Sequence, residues 1–407
     1  MVAAAAVAQT AQRLATFIKV VGVVCWICSN CLVSTAQSEL PDNDVPLWSV
    51  RLLPDLSQGQ RGTYNLGGVS FLDDGRLIVY AVVHDLSRFS ARESPEVGSP
   101  FRLHVWVVDG NTGKTEAHKE WGTRVHDSAV QVTAGGVLVK TGGVIRLYSP
   151  DFAQTRDLPF TLDPNGNYFT SVSASGHTIV IGQYLQKEHA YVTHLYVLDA
   201  ETLKIRDSWE QYPPVSRFSI SDVKLASTQN GRVVLTEFGH ARRNVGTLYA
   251  LKLACPSGIG GPALVSDELI ALRDCNEVLL LTPSGVSYTL DTFDGSNSTE
   301  TRGGRCEPYN PGIASKLVVA SGAQFVAFTL PVLTTRKPLL AEWRTCLDGL
   351  KVGVYDLTLK KRAATLSIDP LPKSDYGVAL SRDGSRLAVL NDRNLSVHSV
   401  PILAKAR

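Results

Sequence analysis

The chain of 407 residues is long enough for one large core or for two or three ordinary domains. With 44% apolar and 19% charged residues, its composition excludes a disordered chain and is typical of a globular protein. The formal net charge of +2 contains no basic excess, so the sequence predicts no nucleic-acid partner.

Residues 1–36 contain no Asp or Glu, and their side chains carry fixed charge only at Arg13 and Lys19. The apolar stretch after Lys19 has the length of a signal-peptide core and is short for a membrane span. Small residues ending at Ala36 predict cleavage there, with 37–44 as a linker; the alternative is an uncleaved anchor. We therefore expect an exported protein, periplasmic or extracellular, with no stable membrane span after cleavage.

The cysteines agree with export. Three of the seven lie inside the predicted signal, where an apolar surrounding does not suit cluster ligands. The remaining four are an even number, which is typical of two disulfides in an oxidising compartment. These four residues, which allow three pairings, are Cys255, Cys275, Cys306 and Cys346.

Further along the chain, a unit of strand, Gly- or Asp-containing turn and second strand recurs seven times. The copies are 67–83, 128–149, 170–182, 221–238, 262–282, 315–330 and 376–401. In three units a further strand ends in an aspartate, at Asp109, Asp199 and Asp356. We expect each of these carboxylates to accept hydrogen bonds from the amides of the turn that follows.

Two stretches carry a family resemblance: Ser381–Ala388, which reads SRDGSRLA, and the run of Trp106, Asp109 and Thr112-Gly113-Lys114. They resemble the repeats of WD40-like and quinoprotein-like (PQQ-like) β-propellers. The resemblance implies an all-β fold, a single propeller over residues 45–401 followed by a tail at 402–407. Seven units over 401 − 45 + 1 = 357 residues give about 51 each, near the roughly 40–50 of a propeller blade. We predict seven four-stranded blades, with six or eight blades, or two β-sandwich domains, as alternatives.

The last unit offers only three strands, whereas a blade has about four. Residues 47–52, LWSVRL, alternate like a strand and precede the first full unit. We therefore predict that this N-terminal strand completes the last blade and removes two open sheet edges.

If each blade runs a, b, c, d from the axis outward, all b–c connections leave the ring on one face. Long or intermediate b–c loops are expected at 84–100, 183–193, 239–246 and 331–351, and the long link 291–312 leaves on that face too. Long loops on a compact scaffold often carry function, and arginine beside aromatic rings suits an anionic or planar ligand. The alternative is that loop length has drifted and the charges only aid solubility. The predicted rim residues are Arg88, Phe89, Arg92, Tyr191, His240, Arg242, Arg243, Arg336, Trp343 and Arg344.

A Cys306–Cys346 disulfide would pin two of these loops and leave Cys255 with Cys275. Catalytic signals are weak, since the chain has no H-E-x-x-H, G-x-S-x-G or P-loop motif. We predict no catalytic residues, no metal ligands and no cofactor, with calcium or a quinone as alternatives. A channel metal would need histidines such as His84, His126, His189, His194 and His240 to converge.

These features favour a non-enzymatic, monomeric propeller that binds a protein, peptide or glycan through the b–c face. The alternatives are a lactonase-like hydrolase or a dehydrogenase with its site at the channel mouth, and a structural component of an envelope assembly.

Overall fold

The structure is a computed structural model, and its ordered part is built from β-strands. It describes residues 45–52, 64–84, 101–123, 128–141, 144–162, 167–187, 190–212, 214–215, 218–229, 232–239, 247–248, 262–274, 277–282, 287–292, 298–300, 317–320, 322, 324–336, 344–369, 376–391 and 394–401. Across these ranges there are 29 strands and no helix. The predicted segments 1–36, 37–44 and 402–407 lie outside them.

The strands form seven antiparallel blades, as the repeats predict. Blade 1 contains β2 (Tyr64–Phe71), β3 (Arg76–His84), β4 (Phe101–Asp109) and β5 (Thr115–Thr123). Blade 2 contains β6 (Ala129–Thr133), β7 (Gly136–Thr141), β8 (Val144–Tyr148) and β9 (Thr155–Asp157). Blade 3 contains β10 (Asn167–Val172), β11 (Thr178–Lys187), β12 (Ala190–Asp199) and β13 (Ile205–Gln211).

The next two blades follow the same order. Blade 4 contains β14 (Phe218–Ile220), β15 (Lys224–Gln229), β16 (Arg232–Glu237) and β17 (Thr247–Leu248). Blade 5 contains β18 (Ala263–Ser266), β19 (Leu269–Asp274), β20 (Glu277–Leu281) and β21 (Ser287–Thr292). The first strands of neighbouring blades contact one another, so they line the axis of a seven-bladed β-propeller.

Blade 6 has an additional strand. It contains β22 (Ser298–Glu300), β23 (Leu317–Val319), β24 (Phe325–Arg336), β25 (Arg344–Asp356) and β26 (Lys361–Ile368). β23 pairs with the beginning of β24 and β22 pairs in parallel with its end. Pro331 lies between the residues of β24 that pair with β23 and those that pair with β22, and no described strand adjoins β24 there. Such an open edge tolerates the missing N–H of proline.

Blade 7 confirms the predicted closure. It contains β27 (Tyr376–Leu380), β28 (Arg386–Asn391), β29 (Asn394–Ser399) and, as its outermost strand, β1 (Trp48–Arg51). The indole Nε1 of Trp48 donates a hydrogen bond of 2.9 Å to the carbonyl of Gly110 in blade 1. The N-terminal strand therefore completes one blade and also contacts the next.

The hydrophobic core is divided into seven clusters, and each cluster fills the space between two consecutive blades. Tyr376 of blade 7 packs with Phe325 of blade 6, for example, and Trp106 of blade 1 packs with Leu395 of blade 7. Seven clusters between seven blades, including one between the last and the first, describe a closed ring.

Candidate functional site

Three of the ten residues predicted for the rim of the b–c face lie within the described part of the chain. Tyr191 is in β12, Arg336 ends β24, and Arg344 begins β25 opposite Arg336. The other seven, Arg88, Phe89, Arg92, His240, Arg242, Arg243 and Trp343, lie outside the described residues and stay predictions.

Two of the predicted b–c loops were wrong in their bounds, because strands extend through them. In the segment predicted as a loop at 183–193, β11 continues to Lys187 and β12 begins at Ala190. In the segment at 331–351, β24 continues to Arg336 and β25 begins at Arg344. Both segments contain β-branched and aromatic residues that favour extended pairing. Blades 3 and 6 therefore contribute long hairpins to the b–c face.

The b–c end of blade 3 presents two aromatic side chains to solvent. Tyr191 is 59% exposed, and Tyr212, which directly follows β13 at the same end of the blade, is 70% exposed. Lys187 Nζ contacts Glu210 Oε2 at 2.6 Å beside them, and this hydrogen bond lowers the pKa of the Glu210 carboxyl. The described part of the b–c face thus combines exposed tyrosines with an ion pair.

Only one of the four cysteines predicted to form disulfides is on a described strand. Cys346 lies in β25 opposite Thr334, so it is in a strand where a loop was expected. Cys255, Cys275 and Cys306 lie outside the described residues, and the disulfide pairing stays a prediction.

On the opposite face, which we call the a–b face, the axial channel opens into a cavity of 680 Å³. Its lining includes Asp73, His177 and Arg382 from the a–b turns of three blades. Gln131 donates from Nε2 to the carbonyl of Thr170 at 3.2 Å, and its buried Oε1 has no partner among the described residues. The mouth of the channel is therefore polar and carries charges of both signs.

Hydrogen bonds tie the a–b turns of neighbouring blades together. The Asp222 carboxylate of blade 4 accepts from Ser173 Oγ at 2.7 Å and from Ser175 Oγ at 2.8 Å, both in blade 3. Burial acts to raise the pKa of Asp222, but the serine hydrogen bonds prevail and leave that pKa lowered. Lys224 Nζ donates to the carbonyl of Asp267 in blade 5 at 2.9 Å. These hydrogen bonds link blades 3, 4 and 5 at the a–b face.

A third group of polar residues lies on the outer strands of blade 1. His104 on β4 pairs with Glu120 on β5, and Trp106 pairs with His118, so the four side chains share one face of the sheet. His104 Nδ1 lies 3.1 Å from His118 Nε2 and 3.4 Å from Glu120 Oε1. No metal ligands were predicted, and this group was missed. Its only signal in the sequence is that His118 and Glu120 are two positions apart, which puts both side chains on one side of a strand.

Of the five histidines considered for a channel metal, the one with a described side chain lies away from the channel. His194 lies on β12, the third strand from the axis, with Nδ1 3.8 Å from Glu210 Oε1. It is therefore on the outer part of blade 3 and does not line the cavity. His84 is described in its backbone alone, and His126, His189 and His240 lie outside the described residues.

Within the described ranges, no helix has the length and apolar character needed to cross a membrane.

Comparison with known proteins gives no family for this chain. No protein-family model matches the sequence, and no curated protein matches it. Solved structures similar to the chain include the Pan2 WD40 domain of Neurospora crassa, at 12% identity and a TM-score of 0.47, covering 89% of this chain and 98% of that one. A chain of the Mitotic Checkpoint Complex is 13% identical with a TM-score of 0.46, covering 91% and 96% respectively. The C-terminal WD40 domain of Sif2 is 10% identical with a TM-score of 0.43, covering 88% and 98%. The expected propeller is confirmed, and it rests on the sheet topology described above.

Proposed function

We propose that this propeller is an exported, non-enzymatic scaffold that binds a protein or peptide through its b–c face. The observation that carries the proposal is the b–c end of blade 3, where a long hairpin extends the face and where Tyr191 and Tyr212 are exposed. Tyrosine is enriched at protein interfaces because it offers a large apolar ring, a polar hydroxyl and few rotatable bonds.

The long hairpin of blade 6 supports the same face. β24 and β25 pair from Asp356 to Arg344 with one register shift, between Val332 and Leu333, so a long backbone ladder forms the base of the hairpin. The parallel pairing of β22 with the end of β24 widens the base of this hairpin by one strand. A platform of paired strands can display side chains with little loss of conformational entropy on binding.

Peptide selection tests the proposal. Peptides are first selected from a displayed random library on the immobilised protein. Their binding is then titrated with the parent chain, the Tyr191→Ala/Tyr212→Ala double variant and a Tyr288→Ala control. Tyr288 is 40% exposed on β21, the outer strand of blade 5. We expect the double variant to weaken binding by about 10–30-fold, the effect of losing an interface hot spot, and the control to bind as the parent does.

Equal binding by the double variant would overturn the assignment to the b–c end of blade 3. A parallel glycan array separates ligand classes: a glycan bound by the parent and lost in the double variant, with no selected peptide, would contradict a protein or peptide ligand.

Export is the second part of the proposal, and the acid-free, apolar segment 1–36 supports it. The full-length chain, produced in a host with a secretory pathway, is expected to begin at Gln37 when the purified protein is analysed by N-terminal sequencing and intact mass. A chain that keeps Met1 and fractionates with membranes would contradict cleavage. The predicted monomeric state and the two disulfides can be checked on the same sample by its mass in solution and by non-reducing peptide mapping.

A further inference from the structure

We propose that His104, His118 and Glu120 form a binding site for a divalent transition-metal ion, with Zn²⁺ as the best-suited ion. One potential ligand atom from each residue lies within 4.8 Å of the others, with His104 Nδ1 at the centre of the group. Two imidazole nitrogens and one carboxylate oxygen are a recurrent ligand set for zinc.

The spacing of the ligand atoms fits such an ion. Ligands bound at about 2.0–2.1 Å in a tetrahedral site lie about 3.3–3.4 Å from one another. The distances from His104 Nδ1 to His118 Nε2, 3.1 Å, and to Glu120 Oε1, 3.4 Å, bracket that value. The third pair of atoms, from His118 and Glu120, lies within 4.8 Å.

A buried tryptophan holds the two imidazoles in place. Trp106 is 6% exposed and packs in the core between blades 1 and 7. Its ring is stacked on His118 at 5.0 Å with an interplanar angle of 8°, and on His104 at 5.5 Å with an angle of 12°. The ligands therefore stand on a fixed aromatic support, which lowers the entropy cost of ordering them around a metal.

The site is open to solvent. The side chain of His104 is 18% exposed, that of Glu120 is 40% exposed, and His118 is exposed as well. Three protein ligands leave one tetrahedral position for water or for a group supplied by another molecule.

Blade 3 contains the same arrangement with one ligand missing. His194 pairs with Glu210 and Tyr196 pairs with Ser208, the positions that His104, Glu120, Trp106 and His118 occupy in blade 1. Ser208 thus replaces the second imidazole, and the Glu210 carboxylate is already bound by Lys187. The chain provides its own control for a site that lacks one histidine.

Zinc titration of the full-length purified protein, stripped with a chelator, tests the proposal. A chromophoric zinc indicator competes for the ion while the parent chain is compared with His118→Ser, which reproduces the blade 3 arrangement, and with Glu120→Gln. His194→Ser is the matched control. We expect one tight Zn²⁺ per parent chain and no change of affinity in His194→Ser. Because His118→Ser removes a ligand, we expect its affinity to fall by more than the roughly 10–100-fold that substitutions beside metal ligands cause.

Direct ligation is checked with Co²⁺, whose visible absorption in a four-coordinate site should appear in the parent and in His194→Ser but not in His118→Ser. Both substitutions are expected to leave the melting temperature in chelator unchanged, which separates loss of the site from loss of the fold. Unaltered zinc affinity in both His118→Ser and Glu120→Gln, or loss of the ion in His194→Ser, would overturn the proposal.

Discussion

At the residue scale, the aspartates that end the third strands confirm the role predicted from their position. Asp109 Oδ1 accepts hydrogen bonds from the amides of Asn111 and Thr112, at 2.9 and 2.7 Å. Asp199 and Asp356 accept from the turns that follow them in the same way. In these turns the fourth residue after the aspartate has a positive φ, and only at Gly113 is that residue a glycine. The carboxylate therefore helps to hold a backbone geometry that Leu203 and Lys360 do not favour.

Asp222 is the residue whose effect should depend most clearly on pH. Its folded-state pKa is lowered, since the hydrogen bonds from Ser173 and Ser175 outweigh its partial burial. A lowered folded pKa contributes stability above the unfolded value of about 3.9, and that contribution is lost as the pH falls below it. We expect Asp222→Asn to lower the free energy of unfolding by about 1–2 kcal/mol at pH 7 and by much less at pH 3.

Denaturant titrations at the two pH values measure this difference. Asp74→Asn, an exposed aspartate in the a–b turn of blade 1, is the control and is expected to match the parent at both. A deficit in Asp222→Asn that is as large at pH 3 as at pH 7 would contradict the role of the ionised carboxylate.

At the scale of elements, the sequence predicts the a–b hairpins better than the lengths of the strands at the b–c face. Alternating apolar residues and Asp-Gly turns mark the a–b hairpins, because both signals are local. β11, β12, β24 and β25 extend toward the b–c face because they pair with each other two by two. That pairing is not visible in local composition, so these segments were predicted as loops. The parallel pairing of β22 has no local signal at all.

The same limit explains the missed histidine cluster. His104 and Glu120 are 16 residues apart, and they become neighbours through the register of β4 with β5. That register shifts between Val107 and Val108, where a bulge adds a residue to one strand. A shift of one residue would place His118 and Glu120 on the other side of the sheet from His104, so the cluster could not be inferred without the pairing.

The closing strand β1 yields a prediction at this scale. Trp48 packs in the cluster between blades 7 and 1, and it bonds Gly110 through its indole N–H. Because Trp48 is half-buried, Trp48→Ala should lower the free energy of unfolding toward the low end of the about 3–5 kcal/mol typical of buried tryptophans.

Trp48→Phe keeps a smaller aromatic ring but removes the N–H donor and the second ring of the indole. We therefore expect a smaller cost than that of Trp48→Ala, about 1–2 kcal/mol. Thermal and denaturant unfolding of the three chains measures both values. A Trp48→Ala chain as stable as the parent would show that β1 contributes little to closure.

At the scale of the whole molecule, the two faces of the ring differ in kind. The a–b face is bonded from blade to blade through backbone and side chains, as between Ala134 N and Gly176 O at 2.8 Å and between Gly322 N and Arg382 O at 3.2 Å. The b–c face bears the lengthened hairpins and the exposed tyrosines. The blade number and the closure followed from the repeats, whereas the partner that the b–c face would bind depends on surface chemistry that repeats do not encode.

The pairing of β1 with β29 also bears on how the protein is made. Trp48 and Val397 are opposite each other although 397 − 48 = 349 residues separate them. At about 5–20 residues per second, a ribosome needs roughly 20–70 s after making β1 to make its partner. During that time the first strand has no place in the sheet. A chain released before Asn394 would lose two strands of blade 7 rather than one, because β1 pairs with β29 and would have no partner. The edge of β28 would then stay open for aggregation or for recognition by chaperones. Ring closure thus distinguishes finished chains from unfinished ones.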